Sequence, residues 1–129
     1  MRVNDMARKA RGVYNTHMVK TLKFAPELVP LILNGTKTVT WRLFDDKNLA
    51  PGDHLDFTDK ATGKKFATAE ITAIREKPLG DIDDHDFAEG HERYADRAAM
   101  VAEFRKYYGE MADENTRVKI IKFRIIIAS

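Results

Sequence analysis

Leu33-Asn34-Gly35-Thr36-Lys37-Thr38-Val39-Thr40-Trp41-Arg42-Leu43 is the stretch on which the reading of this chain turns. An apolar segment stops at Gly35 and β-branched alternation begins at once. Side chains alternate across a strand, so Thr38, Thr40 and Arg42 share one face, and Val39, Trp41 and Leu43 share the other. The second face suits a core, which makes Trp41 a core residue first and a stacking platform second. The first face carries two hydroxyls and a guanidinium. Lys37 stands at the entrance. Strict alternation sets Lys37 opposite Thr40, and the two meet only if Lys37 lies in the turn before the strand or the strand is bulged there.

Working outward, Met18 to Phe24 alternates and predicts a first strand. Ala25-Pro26-Glu27 opens a short helix, since proline is tolerated in a first turn and glutamate suits its dipole. Leu28 to Leu33 gives that helix an apolar stripe, and Asn34-Gly35 ends it. Pro51-Gly52-Asp53 is a turn. Leu55 and Phe57, then Phe66 to Arg75, predict a hairpin whose loop is 59–65. Pro78-Leu79-Gly80 breaks the second arm. An acidic segment follows, with Asp83, Asp84, Asp86 and Glu89 around the anchors Ile82 and Phe87. Ala95 to Tyr108 has helical spacing through Met100, Val101, Phe104, Tyr107 and Tyr108, and Gly109 stops it. Arg117 to Ala128 is the most β-rich run and is apolar on both faces near its end, which predicts a central strand. The order predicts an α+β chain, a small β-barrel with helices packed at its ends.

The chain has 129 residues and 43% hydrophobic content, enough for one domain with a real core. A charged fraction of 33% leaves a net charge of only +2, so bulk charge does not make it a nucleic-acid binder. It has no cysteine, which excludes disulfides, thiolate nucleophiles and zinc–thiolate sites. Residues 1–17 read as a basic flexible extension or a tag, with Arg2, Arg8, Lys9 and Arg11 opposed by Asp5 and without the apolar centre of a secretory signal. The domain then occupies 18–129. With no apolar run of membrane-spanning length, a cytoplasmic protein with no membrane partner is expected. No phosphate loop marks a cofactor. His85 and His91, among Asp83, Asp84, Asp86 and Glu92, lack metal-ligand spacing, and a solvated acidic segment is the reading adopted for them; no metal is expected.

The element order and Gly35-Thr36-Lys37-Thr38-Val39-Thr40-Trp41-Arg42 resemble the ASCH domain of the PUA-like superfamily, whose signature is Gly-x-Lys-x-x-Thr-x-Arg. Gly52-Asp53 ahead of Leu55 and Phe57 matches a second recurring feature. The resemblance spans about Val19 to Ile127. It implies a small β-barrel with a cleft lined by the signature strand, binding RNA or modified nucleosides. One bacterial branch of similar size comprises amidohydrolases that deacylate acetylcytidine with a lysine, a threonine and a glutamate. Carried over, these are Lys37, Thr40 and Glu92, the last counted back from the end of the long helix, with Glu89 as the other register.

A threonine hydroxyl needs a base, and a lysine serves as one only when neutral, so burial or a neighbouring cation must lower its pKa. Arg42 is a candidate for that cation, while a carboxylate close to Lys37 would oppose it. Thr38, Arg42, Lys64 and Lys65 are the candidate contacts to nucleic acid or ligand. Lys64, Lys65, Arg75, Lys77, Lys119, Lys122 and Arg124 would form an RNA footprint if they gathered on one face. The alternative to catalysis is therefore a non-catalytic RNA-binding module, with a ribonuclease ranked lower because the signature strand carries no paired histidines. A third reading is a sensing or adaptor domain with a filled cleft and an ion-paired Lys37.

Overall fold

A computed structural model describes Val19 to Ala128. The reading of residues 1–17 lies outside the described residues. Five strands form one mixed sheet: β1 (Lys20–Phe24), β2 (Val39–Leu43), β3 (His54–Asp59), β4 (Lys65–Pro78) and β5 (Arg117–Ala128). Their spatial order is β1-β3-β4-β5-β2. β1 runs parallel to β3, and the other neighbours are antiparallel. Pro26–Leu28 is a 3-10 turn that runs into α1 (Val29–Leu33). A second 3-10 turn (Leu79–Asp81), α2 (Asp84–Ala88) and α3 (Arg97–Tyr108) fill the span between β4 and β5. This is the expected α+β fold, with the sheet curled into a half-barrel.

The curl has a local cause. The β4–β5 pairing slips between Thr68 and Ala69 and again between Ile71 and Ala73. Each slip inserts an unpaired residue, bends the strand and adds twist. The long β4–β5 pair thereby serves two cores. Leu22, Phe24, Leu55, Phe57, Ile71, Ile121 and Phe123 fill one. Val39, Trp41, Leu43, Val118, Ile120, Met100 and Phe104 fill the other, beneath α3. Ile120 and Ile121 are consecutive on β5 and serve opposite cores, as strand alternation requires.

β5 is central, as its apolar composition predicts, and Val118, Ile120, Ile121 and Phe123 are buried. Its last turn of sequence departs from that expectation. Ile126 and Ile127 are 39% and 60% exposed, because they lie beyond the reach of either core. α3 begins two residues later than Ala95, because Asp96 caps it by accepting from the Ala99 amide at 2.8 Å. Gly109, at φ 86°, ends it.

β1 and β2 are the two edges of the sheet. Arg42 spans the gap between them, donating from β2 to the Lys23 carbonyl of β1 at 3.0 Å. Among the described residues no helix is long and apolar enough to cross a membrane.

Candidate functional site

The gap between the sheet edges opens into a cavity of about 440 Å³. Its walls are the end of β1 and the turn after it, β2 with Lys37, the segment His91 to Tyr94, and the last turns of α3. That volume falls within the roughly 300–1,000 Å³ of small-molecule sites.

Lys37 lies in the turn before β2, which starts at Val39 rather than at Thr38. Its amide donates to the Leu31 carbonyl of α1 at 2.9 Å, fixing the turn. Freed from strand alternation, its side chain folds inward and is only 3% exposed. The ammonium donates to the Val39 carbonyl at 2.8 Å and to Glu92 Oε1 at 2.5 Å. Burial lowers the Lys37 pKa below the usual lysine range; Glu92 opposes this, and Arg42 adds to it. Burial works to raise the Glu92 pKa, but Lys37 above all holds it below the ordinary carboxylate value.

Thr40 is 4% exposed and its hydroxyl oxygen accepts from Arg42 Nε at 3.3 Å. An N–H donated to that oxygen leaves the hydroxyl proton free to be given elsewhere. Lys37 and Thr40 line the same cavity without a hydrogen bond between them in the free chain. Trp41, on the opposite face of β2, is 4% exposed and packed in the second core. Its ring stacks on His91 at 3.6 Å and 13°.

Glu92 comes from a segment held at several points. Thr38 donates its hydroxyl to the Glu89 carbonyl at 2.7 Å and its amide to the Gly90 carbonyl at 3.0 Å. Gly90 has φ +112°, and a Cβ there would meet Thr38 Oγ1 at 2.2 Å. Below it, Asp86 is 1% exposed, faces Arg75 at 2.5 Å and Lys77 at 2.7 Å, and closes a capping box with Asp83. Burial opposes ionisation of Asp86, but Lys77, the Asp83 amide and Arg75 outweigh it and hold its pKa at about 2.

The sequence matches no family model, and no curated protein matches it significantly. Solved structures do resemble the fold. An ASCH domain from Lactobacillus crispatus superposes with TM-score 0.62 at 16% identity, covering 83% of this chain and 79% of that one. The ASCH protein of Zymomonas mobilis gives 0.58 at 17%, covering 81% and 65%. An Enterococcus faecalis protein of the DUF984 family gives 0.71 at 15%, covering 87% and 82%. The chain has the ASCH-domain fold. At these identities the likeness is one of fold, and the chemistry rests on the residues themselves.

In this ASCH fold the signature positions separate into two groups. Lys37, Thr40, Arg42 and Glu92 meet at the cavity. Glu92, not Glu89, is the carboxylate that reaches Lys37; Glu89 instead accepts from Arg75. Thr38 anchors the 89–90 backbone and is not part of the cavity wall. Lys64 and Lys65 lie at the β3–β4 turn, away from that wall, and Lys65 pairs with Asp56 at 3.2 Å.

The solvated reading holds for Asp83, Asp84 and His85, which are exposed, and needs correcting for Asp86 and His91. Asp86 is buried against two cations, and the His91 side chain is 5% exposed. Burial first, then the positive charge of Lys37, lowers the His91 pKa to about 4. Phe87, His91 and Tyr94 surround Trp41. Their spacing of four and three residues was the available sign that this stretch packs inward. No group of three or more His, Cys, Asp or Glu among the described residues is arranged to hold a metal. Both Tyr107 and Tyr108 reach the cavity, Tyr107 half out of it at 55% exposure.

Proposed function

We propose that the chain is an amidohydrolase that removes the acyl group from an N-acylated cytidine or a similar modified nucleoside. The observation that carries this reading is the buried Lys37, joined to Glu92 across 55 residues of sequence, in the wall of a cavity shared with Thr40. A structural ion pair gains little from burial, because desolvation offsets its attraction. A lysine whose pKa is lowered inside a concave site suits a base.

The chemistry follows from the contacts. Thr40 Oγ attacks the amide carbonyl carbon while its proton passes to neutral Lys37 Nζ. Nζ already sits against the Val39 carbonyl, one peptide from Thr40. The carbonyl oxygen becomes an oxyanion beside the Arg42 guanidinium, where fixed positive charge stabilises it. Collapse breaks the C–N bond, and the proton on Lys37 passes to the leaving nitrogen, directly or through Glu92. The amine is released with the acyl group on Thr40. Water then cleaves that ester, yielding the carboxylic acid and the free hydroxyl. Glu92 keeps Lys37 in place and, by favouring its charged form, limits how much neutral base exists at low pH.

Incubation with acetylcytidine and chromatographic detection of cytidine tests this. Lys37→Met is expected to lower kcat by at least about 100-fold, the scale of losing a general base. An unchanged rate in Lys37→Met, or none in the unmodified chain, refutes the reading. The non-catalytic RNA-binding reading draws less support. Of the seven candidate cations, Lys65, Arg75, Lys77, Lys119 and Arg124 all face carboxylates.

A further inference from the structure

His91 carries polar atoms that the scheme above does not use. Its ring is clamped in a fixed plane. One face stacks on Trp41 at 3.6 Å, and Phe87 and Tyr94 stand around it with ring centroids 6.4 Å and 6.0 Å away. Nδ1 is hydrogen-bonded to the Glu92 carbonyl oxygen at 2.8 Å and lies 3.0 Å from Glu92 Oε1. Both neighbours are acceptors, so in the neutral ring the proton belongs on Nδ1 and the lone pair on Nε2.

Nε2 has no hydrogen-bond partner among the described residues. The ring lines the cavity, so the lone pair opens onto it. The wall carries both donors and charged acceptors, the latter from Glu27, Glu92 and Glu103. Lys37 and Arg42 present N–H groups, and Glu92 Oε1 already accepts from Lys37. Nε2 is thus an uncommitted neutral acceptor beside the Lys37 and Arg42 donors.

We infer that His91 has two roles in this site: Nδ1–H donates to the Glu92 carbonyl and so fixes the backbone from which Glu92 reaches Lys37, and Nε2 accepts a hydrogen bond from an N–H or O–H of the bound nucleoside. The second role rests on the amidohydrolase reading, and the first does not. Recognition then combines donors for the acyl and base carbonyls with one acceptor for a donor hydrogen. A ligand offering only acceptors leaves Nε2 unpaired, which disfavours it. The charged and titratable groups facing the ring are Lys37, Arg42, Glu92 and Tyr94. Lys37 and Arg42 oppose its protonation and Glu92 favours it. Burial, then Glu92, raises the Tyr94 pKa above its ordinary value, so that group faces the ring as an uncharged phenol.

Nitrogen-15 NMR of histidine-labelled protein tests the first role without any substrate. The expected result is the Nδ1–H tautomer for His91, with no protonation above about pH 5. A proton on Nε2, or titration near the ordinary histidine value, overturns the inference whether or not the chain turns over acetylcytidine. Kinetics test the second role. His91→Asn keeps a donor where Nδ1 stands and removes Nε2. It is expected to raise KM roughly 3- to 10-fold, the scale of one neutral hydrogen bond, with kcat held within about 3-fold. His91→Phe keeps the stack and removes both contacts. It is expected to lower kcat as well, because the backbone that carries Glu92 loses its tie to the ring. Equal KM and kcat in all three chains, or loss of stability alone, overturns the second role. Absence of turnover in the unmodified chain refutes the amidohydrolase reading, and with it the nucleoside contact, and leaves the tautomer to decide the contact to Glu92.

Discussion

Replacing His91 by phenylalanine isolates the energetic cost of burying an imidazole in this site. The folded ring takes up a proton at about 4, against 6.5 for the ordinary side chain. As the pH falls, the unfolded chain therefore binds a proton that the folded chain refuses. Stability is full above about pH 6.5 and declines as the pH approaches 4. Between these values the linkage amounts to about 2 kcal/mol lost near pH 5 relative to pH 8. The lowered pKa of Lys37 acts in both proteins and cancels in the comparison. His54 and His85 are exposed, and the carboxylates whose pKa values the fold lowers, Asp45, Asp86 and Glu92, titrate below it. Urea unfolding at a series of pH values reads the effect directly. With a slope of roughly 1–2 kcal/mol per molar for a domain this size, the unmodified midpoint should fall by about 1–2 M between pH 8 and 5. His91→Phe preserves the stack on Trp41 and has nothing to protonate, so its midpoint should hold nearly constant. Parallel pH dependences in the two proteins would refute the assignment of His91 as a buried neutral ring.

Gly90→Ala should destabilise the fold by about 2–3 kcal/mol in the same assay. The positive φ costs an L-residue about 1–2 kcal/mol, and the new Cβ displaces the Thr38 hydroxyl from Glu89. Asp86→Asn should cost about 2 kcal/mol at neutral pH and flatten the acid limb. The Asp86 contribution is complete above about 3.8 and is lost as the pH falls toward 2. Arg42→Ala should lower the kcat for acetylcytidine hydrolysis by roughly 100-fold while costing stability no more than about 1–2 kcal/mol. It removes the charge beside the reacting oxygen but only one bridge, to Lys23, between the sheet edges.

Much of this was legible in the sequence, because the chain states its elements plainly. β5 falls at Arg117–Ala128 as its composition predicts, and the Gly35 turn delivers Lys37 ahead of β2 rather than into its alternation. That placement brings Lys37 and Thr40 to one cavity without a hydrogen bond between them, since a residue outside the pleat is free of its period. Glu92 was reached only by counting along a loose segment. Its partner is 55 residues away, and no local pattern encodes such a distance. The acidic run misled for a physical reason. Charge density reads as solvent exposure, yet Arg75 and Lys77 on β4 reach the same point and let Asp86 be buried. His91 was read with its acidic neighbours, although its spacing to Phe87 and Tyr94 marks an inward face. The cavity itself depends on the curl of the sheet, which arises from two register slips in the β4–β5 pairing that leave no mark in the amino-acid pattern.

The central claim is that Thr40 attacks an acyl group with help from Lys37. The most direct measurement is the rate of cytidine release from acetylcytidine by Thr40→Ser beside Thr40→Ala. Serine restores the hydroxyl at the same backbone position, opposite Ile121 on β5. The account predicts that Thr40→Ala loses at least about 1,000-fold in kcat and that Thr40→Ser recovers to within about 100-fold of the unmodified chain. Undiminished turnover by Thr40→Ala would contradict it.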